Sequence, residues 1–429
     1  MEKIKIAVLG LGTLGQGVIT MLNAQGEQLA KNAGCPIELG RVLEKYLTRK
    51  RDIPLPEGMC TNRWEDILND DSIQIIVETI GGIEPARTYI LQALQAGKSV
   101  VTANKDLLAA YGQELFRTAR EAKRDLYFEA SVGGAIPIIG PLRQSLIADR
   151  LSQVMGIING TTNYVLTKME EENSSFEKAL QEAQDSGFAE ADPTADIEGH
   201  DAARKAAILA TLAFHSQVNF NDVYAEGISK ITKEDMALAR NLGYRIKLLA
   251  ICRNDGEVIE ARVHPALIPL DHPLSGVRDI YNAIFVKGPE LGETMFYGVG
   301  TGQLPSASAV LGDVVAVARN IRYDCQGRLN MVENRVLPIL PIEKVKTRFF
   351  LRLLLKDEAG ALAQVTDILG QWGVSIARLV QIVLDSGDAE LVFVTHEVPN
   401  GQMQQAVAQI RQLAVTKKVL TLLRVEDSN

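Results

Sequence analysis

At 429 residues the chain is longer than one hydrophobic core usually organises, so two or three domains are expected. Its composition, 46% apolar and 23% charged, is that of a globular protein, and a formal charge of -8 argues against the clustered positive surface that nucleic acids or anionic membranes require. The four cysteines (Cys35, Cys60, Cys252 and Cys325) contain no CxxC pair, and no apolar run is long enough for a signal peptide or membrane span. Free thiols in a cytoplasmic enzyme are therefore expected.

The β-branched run Ile4 to Leu9 reads as a buried strand, and Leu14 to Ala30 follows with apolar residues at helical spacing. The runs Ile37 to Leu43, Ile73 to Val77, Ser99 to Thr102 and Leu126 to Phe128 predict further strands separated by helices, one of them opening at Pro85. Such alternation implies an α/β domain with a parallel, Rossmann-type sheet. After about residue 130 the order changes. A helix is expected from Pro137 to Ala148, a strand from Leu151 to Ile158, then helices to about His215. Strands return at Arg245 to Cys252, Val258 to Val263, Asn282 to Val286 and Thr294 to Val299, which suggests an α+β layer. A further helix, Pro305 to Ile321, is expected to pack back on the first domain.

A polar, proline-containing stretch from Asn334 to Lys346 then reads as a linker. Beyond it the predicted order is strand (Phe349 to Leu355), helix (Leu362 to Trp372), strand (Ser375 to Val383), strand (Glu390 to His396), helix (Gln402 to Leu413) and strand (Val419 to Arg424). This is the ferredoxin-like order. The expected domains are 1–130, completed by 305–335, for the dinucleotide; 131–304 for substrate and catalysis; a linker at 336–348; and a small C-terminal domain at 349–426.

Gly10, Leu11, Gly12, Thr13, Leu14 and Gly15 follow a predicted strand and open a helix. The first glycine makes the tight turn, the second admits pyrophosphate to the backbone, and the third lets helix and strand pack closely. The helix N-terminus then offers free N–H groups to phosphate. At the end of the second strand, Arg41 and the following Lys45, Arg49, Lys50 and Arg51 outnumber the single acid Glu44, which favours NADPH with NADH as the second choice.

Lys105 ends the run Val100-Val101-Thr102-Ala103-Asn104 and enters a helix, where the helix dipole disfavours a cation that lacks a partner or a task. The alternative is a solvated lysine. The helix from about Asp201 to Phe214 is rich in alanine, and Asp201, Lys205, Ile208 and Leu212 share one face. A charged pair that continues into an apolar stripe is costly unless it is paired or used. The carboxylates just upstream, Glu190, Asp192, Asp196 and Glu198, suit an ammonium group or a cation, although a solvated acidic loop would read the same way. None of the five histidines has a zinc-like spacing.

At these residues the sequence resembles the homoserine dehydrogenase family. The resemblance rests on Ala183, Gly187, Asp192-Pro193, Asp196, Gly199, Asp201 and Lys205, on Thr102 to Lys105, on Asn159-Gly160-Thr161-Thr162-Asn163, and on Gly298 to Gly302 with Pro305 to Ala309. It covers about residues 1–335, and the C-terminal unit resembles an ACT domain, with Asp357 to Leu362 in its first loop. The resemblance implies reversible reduction of L-aspartate 4-semialdehyde to L-homoserine with NAD(P)H. It implies Lys205 as acid–base, Lys105 as its partner touching the nicotinamide, Glu190, Asp196 and Asp201 as substrate holders, and Gly187 and Gly302 as cofactor contacts. It also implies a sodium ion held at Glu129, Val132, Gly134 and Ile136, mostly by backbone carbonyls. Threonine feedback through the ACT domain and a homodimer or homotetramer are further implications. Removal of the chain after about Leu340 is expected to keep catalysis and abolish amino-acid inhibition. The alternatives are another NAD(P)-dependent semialdehyde or imine reductase, or a cofactor-binding amino-acid sensor without turnover.

Overall fold

The structure, a computed structural model, describes residues 3–47, 53–329 and 336–426. Arg49, Lys50 and Arg51 of the basic cluster, and the first residues of the connecting stretch, lie outside these. The chain forms two compact units, one of residues 1–154, 204–223 and 280–337, the other of 155–203, 224–279 and 338–429.

The first unit begins with β1 (Ile4–Leu9), α1 (Thr13–Ala33), β2 (Ile37–Leu43), β3 (Cys60–Thr61), α2 (Glu65–Leu68) and β4 (Ile73–Glu78). It continues through α3 (Ala86–Gln95), β5 (Ser99–Thr102), α4 (Lys105–Glu121), β6 (Leu126–Tyr127) and α5 (Ile139–Arg143). The six strands form a sheet in the order β3-β2-β1-β4-β5-β6, with every neighbouring pair parallel. Its strands are almost continuously apolar because both faces are covered: Ile6, Val8, Ile75 and Val77 on one face and Ala7, Leu9, Ile76 and Val100 on the other are wholly buried. The order reverses between β1 and β4, and ligands of such sheets bind beyond the carboxyl ends of the strands at that place.

The helix expected from Pro137 to Ala148 is shorter. Gln144 leaves helical geometry (φ -132°, ψ -67°), and the Leu146 N–H donates back to the Pro141 carbonyl at 2.9 Å, which closes α5 after five residues.

Next come β7 (Gln153–Ile157), α6 (Gly160–Glu171), α7 (Phe176–Asp185), α8 (Thr194–Ile197) and α9 (His200–Phe214), then β8 (Tyr224–Ala225), α10 (Lys233–Asn241), β9 (Tyr244–Asn254) and β10 (Ile259–Pro269). The sequence reading had no element at α10, which starts with a capping box between Thr232 and Asp235. Antiparallel β9 and β10 are buried along most of their length, and one edge of β10 pairs with β8. The chain then returns to the first unit as the hairpin β11 (Tyr281–Gly288) and β12 (Gly292–Val299), followed by α11 (Gln303–Arg322). Val310, Leu311 and Val314 of α11 share a core with Val18, Ile19 and Leu22 of α1.

The C-terminal module comprises β13 (Lys346–Lys356), α12 (Ala361–Gln371), β14 (Ile376–Val383), β15 (Asp388–Thr395), β16 (Val398–Pro399), α13 (Asn400–Ile410) and β17 (Thr416–Val425). Apart from the two-residue β16, this is the expected β-α-β-β-α-β order. Phe349, Leu351, Leu353 and Phe393 of its sheet pack with Val365, Leu369, Met403 and Val407 of its helices.

The connection into this module is docked. Residue 259 bonds both to the Pro338 carbonyl and to the Leu340 N–H. The module also continues the second unit's sheet, since β17 pairs in parallel with β10 through Ala266↔Arg424 and Leu267↔Val425. Buried charges reinforce the join. Arg262 of β10 meets Glu426 at 2.7 Å, and Arg352 of β13 pairs with Asp235 at the start of α10 and with Glu390 at 2.8 Å.

Candidate active site

In the first unit the glycine turn caps the sheet where its order reverses. Gly10 sits at φ +96°, and a Cβ there would lie 3.1 Å from the Thr79 carbonyl oxygen at the end of β4. A Cβ on Gly15 would come 2.0 Å from the Gly10 carbonyl oxygen, so only glycine lets α1 approach β1 this closely. A Cβ on Gly12 would meet nothing within 4 Å, and α1 opens without a side-chain cap or an acid in its first turn. Its amino end is thus suited to an anion such as a pyrophosphate.

Two residues that the sequence reading did not assign support this turn. Glu44, 8% exposed just after β2, accepts hydrogen bonds from the Leu11 N–H at 3.2 Å and the Tyr46 N–H at 3.1 Å. Gln303, next to Gly302, donates to the Thr13 carbonyl at 3.0 Å, so Gly302 (φ +130°) starts α11 beside the turn. Arg41 donates to the Gly58 carbonyl at 2.6 Å.

Lys105 is the first residue of α4 and is half-buried. Asn104 caps the helix by accepting from the Leu107 N–H at 3.0 Å, and its amide donates to the Gly82 carbonyl at 2.7 Å. Beneath it Glu78, wholly buried at the end of β4, accepts from Thr102 Oγ1 at 2.5 Å and from the backbone N–H groups of Ile80 and Gly81. Burial pushes the Glu78 carboxyl upward, and these donors partly oppose that.

The alanine-rich α9 is buried as its sequence suggests. Asp201 is 5% exposed, Lys205 6%, Ile208 5% and Leu212 2%. Asp201 and Lys205 lie one turn apart on this helix. In the second unit Asn159 Nδ2 donates to Asp196 Oδ1 at 2.7 Å and to Asp201 Oδ2 at 2.9 Å, while its Oδ1 accepts from the Thr162 N–H and caps α6. One carboxamide therefore draws together two carboxylates. Glu190 is exposed, and Gln184 donates to its backbone carbonyl at 3.1 Å. Gly187 (φ +75°) precedes Phe188, whose carbonyl accepts from Thr161 Oγ1 at 2.6 Å, so that turn is anchored to the same motif as Asn159.

Glu129, Val132, Gly134 and Ile136 lie in one tight segment of the first unit. The Glu129 carboxylate accepts from the N–H groups of Ile138, Ile139 and Gly140 at 2.6–2.7 Å, and Ile136 N–H bonds back to the Gly133 carbonyl at 3.0 Å. A Cβ on Gly134 (φ +61°) would be 2.2 Å from the Gly300 carbonyl oxygen. Backbone carbonyls and a carboxylate together make an oxygen-only donor set, the kind that suits a hard cation. Among the described residues no group of three or more His, Cys, Asp or Glu side chains is arranged to hold a metal. None of the four cysteines is in a disulfide, and Cys35 and Cys252 are buried. No helix of the described residues is long and apolar enough to cross a membrane.

Three family models match the chain: the NAD binding domain of homoserine dehydrogenase over residues 10–129, homoserine dehydrogenase over 137–315, and the ACT domain over 349–415. A homoserine dehydrogenase of Bacillus subtilis is 43% identical over 430 residues, covering 100% of this chain and 99% of that protein. One from Corynebacterium glutamicum is 44% identical over 427 residues, covering 98% and 95%. A solved homoserine dehydrogenase structure from Thiobacillus denitrificans has a TM-score of 0.94 at 41% identity, covering 100% of this chain and 99% of that one.

Proposed function

The chain belongs to the homoserine dehydrogenase family, an NAD(P)-dependent oxidoreductase family acting on the CH–OH group of homoserine, and we propose that Lys205 is the acid–base of this reaction. The observation that carries the assignment is the burial of its side chain, 6% exposed, on a helix packed through alanines. A lysine desolvated to that degree is retained where its charge is paired or used.

When bound, the nicotinamide cofactor supplies a hydride to the aldehyde carbon of L-aspartate 4-semialdehyde, or accepts one from L-homoserine. Negative charge develops on the aldehyde oxygen, where the Lys205 ammonium stabilises it and donates the proton. Such acid–base assistance contributes about 10²–10⁴-fold. In the reverse direction the Lys205 side chain takes the hydroxyl proton. Lys105, at the start of α4, stands on the nicotinamide side as its partner. Asp196 and Asp201, gathered by Asn159, hold the substrate ammonium with Glu190.

The turn from Gly10 to Gly15 and the amino end of α1 would hold the pyrophosphate, with Gly187 and Gly302 as further cofactor contacts. NADPH is the preferred cofactor. Arg41 and Lys45 follow the second strand, and Glu44, the acid there, already accepts from Leu11 and Tyr46 rather than standing open to a ribose hydroxyl. Glu129 with the carbonyls of Val132, Gly134 and Ile136 would hold a sodium ion that stiffens the segment. The ACT module binds threonine as feedback inhibitor, and the enzyme works in the cytoplasm as a homodimer or homotetramer on the route to threonine, methionine and isoleucine.

The test is cofactor oxidation with aspartate semialdehyde, NADPH and NADH compared side by side, with and without threonine and sodium. Turnover favouring NADPH and inhibited by threonine is expected. Equal use of both cofactors with no threonine effect would refute the finer assignments.

A further inference from the structure

Arg424, the penultimate residue of β17 in the ACT module, is 3% exposed. Its Nη1 donates to Glu226 Oε2 at 2.9 Å, and its Nη2 to Tyr224 Oη at 3.3 Å and to Asn400 Oδ1 at 3.0 Å. The guanidinium also lies over the Tyr224 ring, 5.0 Å from its centroid, and Tyr224 Oη itself donates to Glu226 Oε2 at 3.0 Å. The arrangement follows from the sheet, because β8, which carries Tyr224, and β17 both pair with β10.

The segment gripped by Arg424 supports the proposed substrate carboxylates. The Ile228 N–H donates to the Ile197 carbonyl at 2.8 Å. A Cβ on Gly227 would come 2.3 Å from that same oxygen and 2.5 Å from Glu198 Cα, and a Cβ on Gly199 (φ +80°) would be 3.2 Å from the Glu226 carbonyl oxygen. The backbone of 226–228 is therefore flush against the turn 197–199. That turn joins Asp196 on α8 to Asp201 on α9.

We propose that Arg424 is a positioning residue for substrate binding: by fixing Tyr224 and Glu226 it sets the surface on which the 197–199 turn, and with it Asp196 and Asp201, is seated. This rests on the reading of Asp196 and Asp201 as substrate holders. A buried guanidinium with three directed donors defines the place of its acceptors more narrowly than a lysine could. A shift of under an ångström in a binding carboxylate is enough to weaken capture of an ammonium group. The ACT module thus contributes a structural residue to substrate affinity even with no amino acid bound to it.

The experiment is steady-state kinetics of the full chain, with aspartate semialdehyde and NADPH varied separately, for Arg424→Ala, Arg424→Lys, Glu226→Gln and Asp196→Asn. Melting curves establish that each variant is folded. Arg424→Ala and Glu226→Gln are expected to raise the KM for semialdehyde by about 10-fold while the KM for NADPH stays within about twofold, and Arg424→Lys to recover part of the loss. Should Arg424→Ala fail to fold, Glu226→Gln decides. An unchanged semialdehyde KM in folded Glu226→Gln, with a raised one in Asp196→Asn, overturns this inference alone. A fall in kcat with both KM values unchanged overturns it too, because that marks a general structural role. If Asp196→Asn itself leaves the semialdehyde KM unchanged, the substrate reading fails and takes the inference with it.

Discussion

Arg204 Nε lies 3.0 Å from Asp106 Oδ1. Each partner is the chain neighbour of a proposed catalytic lysine, so the ion pair ties the first turn of α4, with Lys105, to α9 just before Lys205. Asp106 also relieves the unfavourable placement of a cation at a helix amino end. The pair is partly open to solvent, with side-chain exposures of 28% and 41%, and contributes less than about 1 kcal/mol to stability. Its value is in alignment. Arg204→Ala and Asp106→Asn are each expected to lower kcat by about 10-fold with little change in melting temperature, and the double variant to be no worse than either single one. Multiplicative losses in the double variant would show that the two act independently.

In the proposed cofactor site, Glu44 and Arg41 are expected to act on different parts of the nucleotide. Glu44 holds the Leu11 N–H of the glycine turn, so Glu44→Ala loosens the pyrophosphate cradle and raises the Kd of NADPH and NADH alike, by about 10-fold. Arg41→Ala removes the charge proposed for the 2′-phosphate and is expected to weaken NADPH alone. Fluorescence titration of both nucleotides against both variants separates these effects. Equal losses for the two nucleotides in Arg41→Ala would remove the basis for the NADPH preference.

Lys247 gives the fold a pH dependence of known sign. It is 2% exposed and donates to Asn163 Oδ1 at 2.8 Å and to the Val277 carbonyl at 2.5 Å. Burial, with the Arg245 guanidinium adding to it, lowers its pKa from 10.5 to about 7. Between those values the unfolded chain binds a proton that the folded chain does not, so this group's contribution to stability rises with pH across that window. Below it both states are protonated and the contribution is constant. Lys247→Met should flatten the dependence by up to about 1.4 kcal/mol per pH unit, read from urea unfolding at pH 6 to 10. Parallel pH profiles for the two proteins would contradict the assignment.

The sequence suggests a C-terminal module whose removal keeps catalysis, and the structure joins that module to β10 of the second unit. Truncation after Leu340 removes Glu426, which meets Arg262 at 2.7 Å and Arg253 at 2.8 Å, and exposes the β10 edge. Arg262 would keep Glu260, 2.5 Å away on the same strand, but lose Glu426, a loss of about 1–3 kcal/mol. The truncated chain is expected to melt about 5–10 °C lower or to aggregate. A truncated enzyme with unchanged melting temperature would show the join to be energetically unimportant.

What could be read from the sequence was what repeats locally. The glycine turn and the α9 face bearing Asp201 and Lys205 follow from spacing over a few residues, and both are formed. The capping box at Thr232 and Asp235 was equally readable, as an acid three positions after a threonine ahead of a helix, yet α10 was missed. Other features depend on distant partners. Asn159 meets acids 37 and 42 positions later, and Gln303 reaches Thr13 across 290 positions. Nothing near Arg424 in the sequence indicates Glu226. The two-residue β8 is too short for any periodicity to reveal.

The most direct test of the account is the hydride-transfer step of Lys205→Met, a substitution that keeps the bulk of the side chain on its buried face. Stopped-flow oxidation of bound NADPH by aspartate semialdehyde should slow by at least about 10²-fold, with the nucleotide Kd and melting temperature little changed. A single-turnover rate within about threefold of the unsubstituted enzyme would contradict the role given to Lys205.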